Sequence, residues 1–209
     1  VIYICAGLYA EGRSDYEFLL PLLNRLLDGL AASLFDGAYE LGPAAAIDAR
    51  SPAGLHRAER IAIAIGEWWG TCTLFVIHAD GAADPDGARR DLILPGLEAA
   101  RAAAPRRHVT SAACVPVREM EAWMLADPSV LEELVGESAT PAYPTDPEDD
   151  INPKASLRRI LNESGLRRAP ERLFAFFGER VRFDALRRLS AFRAFEEELI
   201  EALGELGRT

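Results

Sequence analysis

"TCTLFVIHADGAADPDG", residues 71–87, is the stretch that decides how this chain is read. Thr71–Ile77 is an unbroken run of β-branched, aromatic and aliphatic residues without Gly or Pro. That pattern predicts a strand buried on both faces of a sheet. The run gives way to His78, Asp80, Asp84 and Asp86, set among Gly and Ala. Open α/β sheets build their sites just beyond the carboxyl ends of their strands, which is where this acidic exit falls. Asp and Gly are also ordinary turn formers, and turn chemistry alone accounts for "ADG" followed by "DPDG".

Working outward, the same alternation recurs. Val1–Tyr9 is continuously apolar; it lacks the basic leader of a signal peptide and reads as a strand. In "EGRSDYEFLLPLLNRLL", Ser14 followed by Glu17 forms a capping-box pattern, predicting a helix from near Asp15 with a kink at Pro21. Tyr39–Ile47 reads as a weak strand, and Gly54–Trp69 as a helix from the spacing of Leu55, Ala58, Ile61, Ala62 and Ile65. Gly87–Ala104 reads as a helix interrupted at Pro95, Val109–Val117 as a strand and Arg118–Ala126 as a helix. Such alternation predicts an α/β fold, a parallel sheet flanked by helices on both faces. From 136 to 153 the periodicity stops and prolines crowd in, predicting a loop. Beyond it only helices are expected: Lys154–Glu163, Pro170–Phe177, Asp184–Leu189 and Ala191–Leu206, the last with an apolar stripe through Phe192, Phe195, Leu199 and Leu203. The expected organisation is an α/β core over 1–135, a loop over 136–153, and a helical C-terminal extension over 154–209 packed on the same domain.

Bulk properties narrow the function classes. Net charge is −10, so the chain repels phosphate backbones unless metals or local basic patches intervene. Such patches exist in Arg57–Arg60, Arg89–Arg90, Arg101–Arg107 and Arg158–Arg193, where Arg158, Arg159, Arg167 and Arg168 could line a basic strip or simply face solvent. Mean hydropathy is near zero, and no apolar run of membrane-span length stands out, which predicts no membrane association. Cys5, Cys72 and Cys114 form no CxxC and lie in strand-like runs; they read as reduced core thiols, which points to the cytoplasm. Walker A, GxGxxG, HExxH and GxSxG motifs are absent, removing support for P-loop, dinucleotide, zincin and serine-hydrolase chemistry.

Glu11 follows the first strand and Asp80 the Thr71–Ile77 strand. Neighbouring parallel strands lie about 5 Å apart, so carboxylates at matching ends approach closely. They repel unless one is protonated or a cation sits between them. Mg²⁺ suits such a place, since it takes oxygen ligands and binds through one or two carboxylates plus substrate phosphates.

"YAEGRSDYEFLLPLL" resembles the E-G-x-[ST]-[DE] opening of TOPRIM domains, and "LFVIHADGAAD" resembles their second motif, a hydrophobic strand ending in D-x-D. "VPVREMEAWMLAD", "NPKASLRRIL" and "LSAFRAFEEEL" resemble further blocks of one bacterial TOPRIM-like family, the domain of unknown function 4276, related to OLD-type nucleases. The resemblance spans nearly the whole chain. It implies a Rossmann-like TOPRIM sheet and Mg²⁺- or Mn²⁺-dependent phosphodiester chemistry on DNA or RNA. It also implies an ATPase partner protein and a role in bacterial anti-phage defence or repair. By the same resemblance Glu11 is a catalytic acid/base or metal ligand, Asp80 a metal ligand, Glu121 a further ligand with Glu119 as its alternative, and Lys154, the chain's single lysine, a catalytic phosphate-binding cation. Arg13, beside Glu11 at a helix start, is a second phosphate-binding candidate. His78 stands where the first Asp of D-x-D is expected. Imidazole suits softer metals, and the expectation is that Asp84, or else Asp86, supplies the missing carboxylate. The alternative is a catalytically silent TOPRIM-like module that binds a partner or nucleic acid; a phosphohydrolase of small metabolites would need an enclosed pocket over Asp80.

Overall fold

The computed structural model describes residues 1–47, 54–136, 141–166 and 172–208. In chain order its elements are β1 (Ile2–Ile4), β2 (Ala6–Tyr9), α1 (Arg13–Phe35), β3 (Tyr39–Leu41), β4 (Ala45–Ala46), α2 (Arg57–Trp68) and β5 (Leu74–His78). There follow α3 (Pro85–Ala88), a π-helical turn (Arg89–Ile93), α4 (Leu94–Ala103), β6 (Ser111–Cys114), α5 (Glu121–Met124) and α6 (Ser129–Val135). The extension holds α7 (Pro153–Glu163), α8 (Leu173–Arg180), α9 (Phe183–Leu186) and α10 (Ser190–Leu206).

The fold is α/β with parallel strands flanked by helices. Four strands form one parallel sheet in the order β4-β2-β5-β6, and β1 pairs with β3 in a separate parallel ribbon. The chain leaves β2 for β4 on one side, then returns to β5 and continues outward to β6 on the other. The connection therefore reverses direction between β2 and β5, and that topological switch is where an open α/β sheet leaves a crevice. Side-chain alternation along the strands feeds two cores. Leu8, Leu74, Val76, Ala112 and Cys114 pack with Leu19, Leu22 and Leu23 of α1, Phe177 of α8 and Phe192 and Phe195 of α10. Tyr9, Phe75, Ile77, Ala113 and Val115 face the other way, onto Ile61 and Ile65 of α2 and Leu97 of α4. Every strand residue from Leu74 to His78 is buried, as the uninterrupted apolar run requires; each such large side chain contributes about 1.5–3 kcal/mol. The extension shares the first core rather than forming its own. Trp123 is fully buried, with its ring against Phe192 at 5.2 Å and Phe195 at 5.8 Å.

Several local expectations are corrected. The first apolar run is two strands, broken at Cys5, whose N–H donates to Thr73 Oγ1 (3.0 Å) and whose carbonyl accepts from Thr73 (2.9 Å) and Leu74 (3.2 Å). Tyr39–Ile47 splits likewise into β3 and β4. Helix α1 begins at Arg13, two residues early, because Asp15 and not a Ser14–Glu17 pair secures its start, accepting the Gly12 N–H at 2.8 Å. The helix runs on through Pro21. Gly178 of α8 seats there against the Phe18 carbonyl, where a Cβ would come within 2.1 Å. At Pro95 the disturbance is real: the missing N–H leaves one helical bond unmade, and Leu94 N–H instead reaches Arg89 O in the π-turn. The helix expected from Arg118 is only Glu121–Met124, and α6 had no counterpart in the sequence reading. Near α8, the predicted start at Pro170, like Arg167 and Arg168, lies outside the described residues. Helix α1 also contains an 18-residue window apolar enough to cross a membrane. Its apolar face, from Phe18 to Ala31, is buried in the core, so that hydropathy reflects packing.

Among the described residues, the sheet offers little free backbone at its two margins. Strand β4 is only two residues long, and Glu198 of α10 accepts the outward Ala113 N–H of β6 at 2.9 Å while pairing with Arg89.

Candidate functional site

Tyr9 pairs with Ile77 and His78 with Cys114, so β2, β5 and β6 end at one level. The segments leaving them carry Glu11, Asp80, and Glu119 with Glu121. Asp15, in the first turn of α1, joins them. The carboxylates acting most strongly on Asp80 are Asp15, Glu121, Glu11 and Glu119, in decreasing order. Burial first, and this crowding second, push Asp80 up to about 7. Its Oδ1 is buried without a hydrogen-bond partner, as is Glu119 Oε2. Burial likewise raises Glu121, against which Lys154 pulls down. The cleft above is open, bounded by Asp80, Ala82, Arg118, Glu119, Ile151 and Asn152.

The loop after β5 is set by backbone contact. Gly81 lies so near the segment after β6 that a Cβ would come within 2.2 Å of Pro116 O and 2.6 Å of Val117 O. Ala83 N–H donates to Val117 O at 2.7 Å. Ala82 and Ala83 both take left-handed backbone (φ 47° and 73°), which costs a non-glycine residue about 1–2 kcal/mol. The strain belongs to the turn that fixes Asp80.

His78 is 1% exposed. Its Nδ1 lies 2.9 Å from the Cys114 carbonyl, which can only accept, so Nδ1 carries the proton and Nε2 presents a lone pair. That Nε2 has no hydrogen-bond partner and lies 3.6 Å from Asp80 Oδ1 and 3.9 Å from Asp15 Oδ2. Burial pushes His78 below its usual value, outweighing the Asp15 carboxylate.

Two cations enter from elsewhere. Arg57, the first residue of α2, ion-pairs with Glu11, donates through Nη2 to His78 O (2.5 Å) and through Nε to Leu92 O of the π-turn (2.9 Å). Lys154 arrives because Asn152 caps α7 by accepting the Ala155 N–H (2.9 Å) and Pro153 opens the helix. Its Nζ is 3.9 Å from Glu121 Oε1.

Of the residues picked from sequence, Glu11, His78, Asp80, Glu119, Glu121 and Lys154 are brought together. Asp84 is turned back onto its own helix, its Oδ1 accepting Gly87 N–H (2.9 Å) as the cap of α3. Asp86 lines a different groove, with Arg89, Ala113 and Ser190. Arg13 points into solvent and pairs with Glu17 at 2.7 Å. Asp15 and Arg57 were missed. Asp15 fills the last position of the quoted E-G-x-[ST]-[DE] pattern and was legible there; Arg57 lies 46 residues from Glu11, and no spacing announces it.

Among the described residues, no three His, Cys, Asp or Glu side chains are already grouped to hold one ion. Crowded oxygens with unpartnered buried atoms nevertheless fit a hydrated cation, which needs one or two protein carboxylates and fills its remaining positions with water. Comparisons with protein-family models, with curated proteins and with solved structures found no match to this chain.

Proposed function

We propose that the chain is a divalent-metal-dependent phosphodiesterase of TOPRIM type, acting on nucleic acid. The observation that carries this reading is Asp80: a carboxylate at the topological switch, crowded by Asp15, Glu121, Glu11 and Glu119, with Oδ1 buried and unpartnered. Such an arrangement is unfavourable until positive charge enters it. Asp80 and Glu121 would hold the ion. When bound, Mg²⁺ or Mn²⁺ supplies Lewis-acid polarisation of a phosphodiester and a more acidic water. Glu11 is half exposed and oriented by Arg57, so it can accept a proton from an attacking water at the mouth of the cleft. Lys154, more than half exposed, offers a point charge to a phosphate oxygen. The open cleft suits a polymer better than a small enclosed metabolite. Partner loading by an ATPase would bring this acidic chain to an acidic polymer, and the uncrosslinked Cys5, Cys72 and Cys114 suit a cytoplasmic setting.

Purified protein with Mn²⁺ or Mg²⁺ should nick plasmid DNA or cleave RNA. Glu11→Gln and Asp80→Asn should each lower the rate by about 100-fold or more. Full activity in both variants overturns this site. One observation favours a silent binding module instead: Arg57 and Lys154 already offer Glu11 and Glu121 internal cations. Calorimetry separates the two, since that module takes up no Mg²⁺ or Mn²⁺ at millimolar concentration.

A further inference from the structure

The geometry points to His78 as a metal ligand through Nε2, making this a mixed nitrogen–oxygen site that favours a first-row transition-metal cation over Mg²⁺. The inference rests on the metal-dependent reading above and names the ion's class. Its starting point is a buried imidazole with one nitrogen satisfied and the other not. A buried imidazole lone pair facing an ionised carboxylate oxygen is unfavourable on its own, because two acceptors at close range repel and each forgoes a hydrogen bond. Here Nε2 and Asp80 Oδ1 are both buried without partners, 3.6 Å apart, with Asp15 Oδ2 at 3.9 Å.

The remaining geometry is that of a metal-ligating histidine. Such residues donate the second ring N–H to a carbonyl or carboxylate, which fixes the tautomer and aims the lone pair. Cys114 O, at the end of the neighbouring strand, accepts from Nδ1 at 2.9 Å. Two donors each about 2.1 Å from one ion stand about 3.0–3.6 Å apart for angles between octahedral and open tetrahedral. The His78–Asp80 pair meets that separation as it stands, and Asp15 meets it after a small side-chain movement. Arg57 donates to His78 O, so the backbone carrying the ring is held by the same guanidinium that orients Glu11. An imidazole nitrogen adds little for Mg²⁺, which prefers oxygen and water, and more for each step along the Irving–Williams order.

The test uses Mn²⁺ itself as probe and reads nitrogen directly. The chain has three histidines, and His56 and His108 are exposed. In the His56→Gln/His108→Gln protein, His78 is the only imidazole left and the core is untouched. Electron spin-echo spectroscopy of that variant with bound Mn²⁺ should show the hyperfine coupling of a coordinated imidazole nitrogen. About a hundredfold excess of Mg²⁺ should leave the signal in place. His78→Asp should retain Mn²⁺, lose the nitrogen coupling and let Mg²⁺ compete at comparable concentration. Bound Mn²⁺ without nitrogen coupling in the double variant overturns the His78 assignment and leaves the phosphodiesterase reading standing. No Mn²⁺ bound at millimolar concentration overturns both.

Discussion

Asp127 and Asp80 are the same residue type in opposite situations. Asp127 is fully buried, yet both of its oxygens are answered: Oδ2 by Arg182 N (2.9 Å) and Nε (3.0 Å), Oδ1 by Arg182 Nη2 (3.0 Å) and Ser129 Oγ (2.7 Å). Burial alone would raise its proton affinity; the guanidinium and hydroxyl outweigh burial and hold it below the usual carboxylate range. Asp80 is half exposed, and burial with four nearby carboxylates pushes it up to about 7. One carboxylate ties the extension to the core. The other is crowded by acids with no cation paired to it, and the proposed metal site rests on that imbalance.

The largest effect should come from breaking the satisfied member. Asp127→Ala strands Arg182 and Ser129 and should cost about 3 kcal/mol in urea unfolding. Asp80→Asn should do the reverse at pH 8, adding about 1–2 kcal/mol after allowance for solvent screening of a half-exposed group. Equal losses in the two variants would erase the contrast.

The pH dependences should differ in sign. Asp127 has a folded value below its unfolded one, so its contribution is full above about pH 4 and disappears as pH falls through the folded value. Asp80 has a folded value above its unfolded one, so folding is favoured by its proton at low pH and that contribution is lost between about pH 4 and pH 7. Unfolding curves of Asp80→Asn and the unaltered chain should therefore coincide near pH 4 and separate by pH 8. Saturating Mn²⁺ at pH 8 should close the gap by stabilising only the unaltered chain, by up to about 2.7 kcal/mol at a hundredfold excess over its dissociation constant.

How far these differences could be read in advance depends on their range in the chain. The strand expected at Thr71–Ile77 and its acidic exit were legible because burial on both faces leaves an uninterrupted apolar run. The strand itself is Leu74–His78, and Thr71–Thr73 belong to the turn after α2. The break at Cys5 was not: it comes from Thr73 and Leu74 claiming the Cys5 backbone, a pairing across 68 residues. Asp84 looked as good a ligand as Asp80 because spacing cannot distinguish a carboxylate folded onto its own helix from one held out over a cleft. The Arg57 contacts to Glu11 and His78 arise only when α2 is docked against the π-turn.

The smallest effect should come from the loop that holds Asp80 out. Ala82→Gly and Ala83→Gly each relieve left-handed strain and should stabilise the chain by about 1 kcal/mol or less, offset by the flexibility added to the unfolded state. A fall in metal affinity in the same variants would mean that the strained turn sharpens the position of Asp80 as well as reaching it.

The Glu198 carboxylate lying along β6 has a consequence for association. An outer strand with free amides invites a foreign chain to extend the sheet, and this one has its Ala113 amide taken by an acid that Arg89 anchors. At the opposite border the described strand β4 is only two residues long and offers a visitor little ladder. A chain that adds to the sheet at β6 has first to displace the Glu198 carboxylate from Ala113 and break its pair with Arg89.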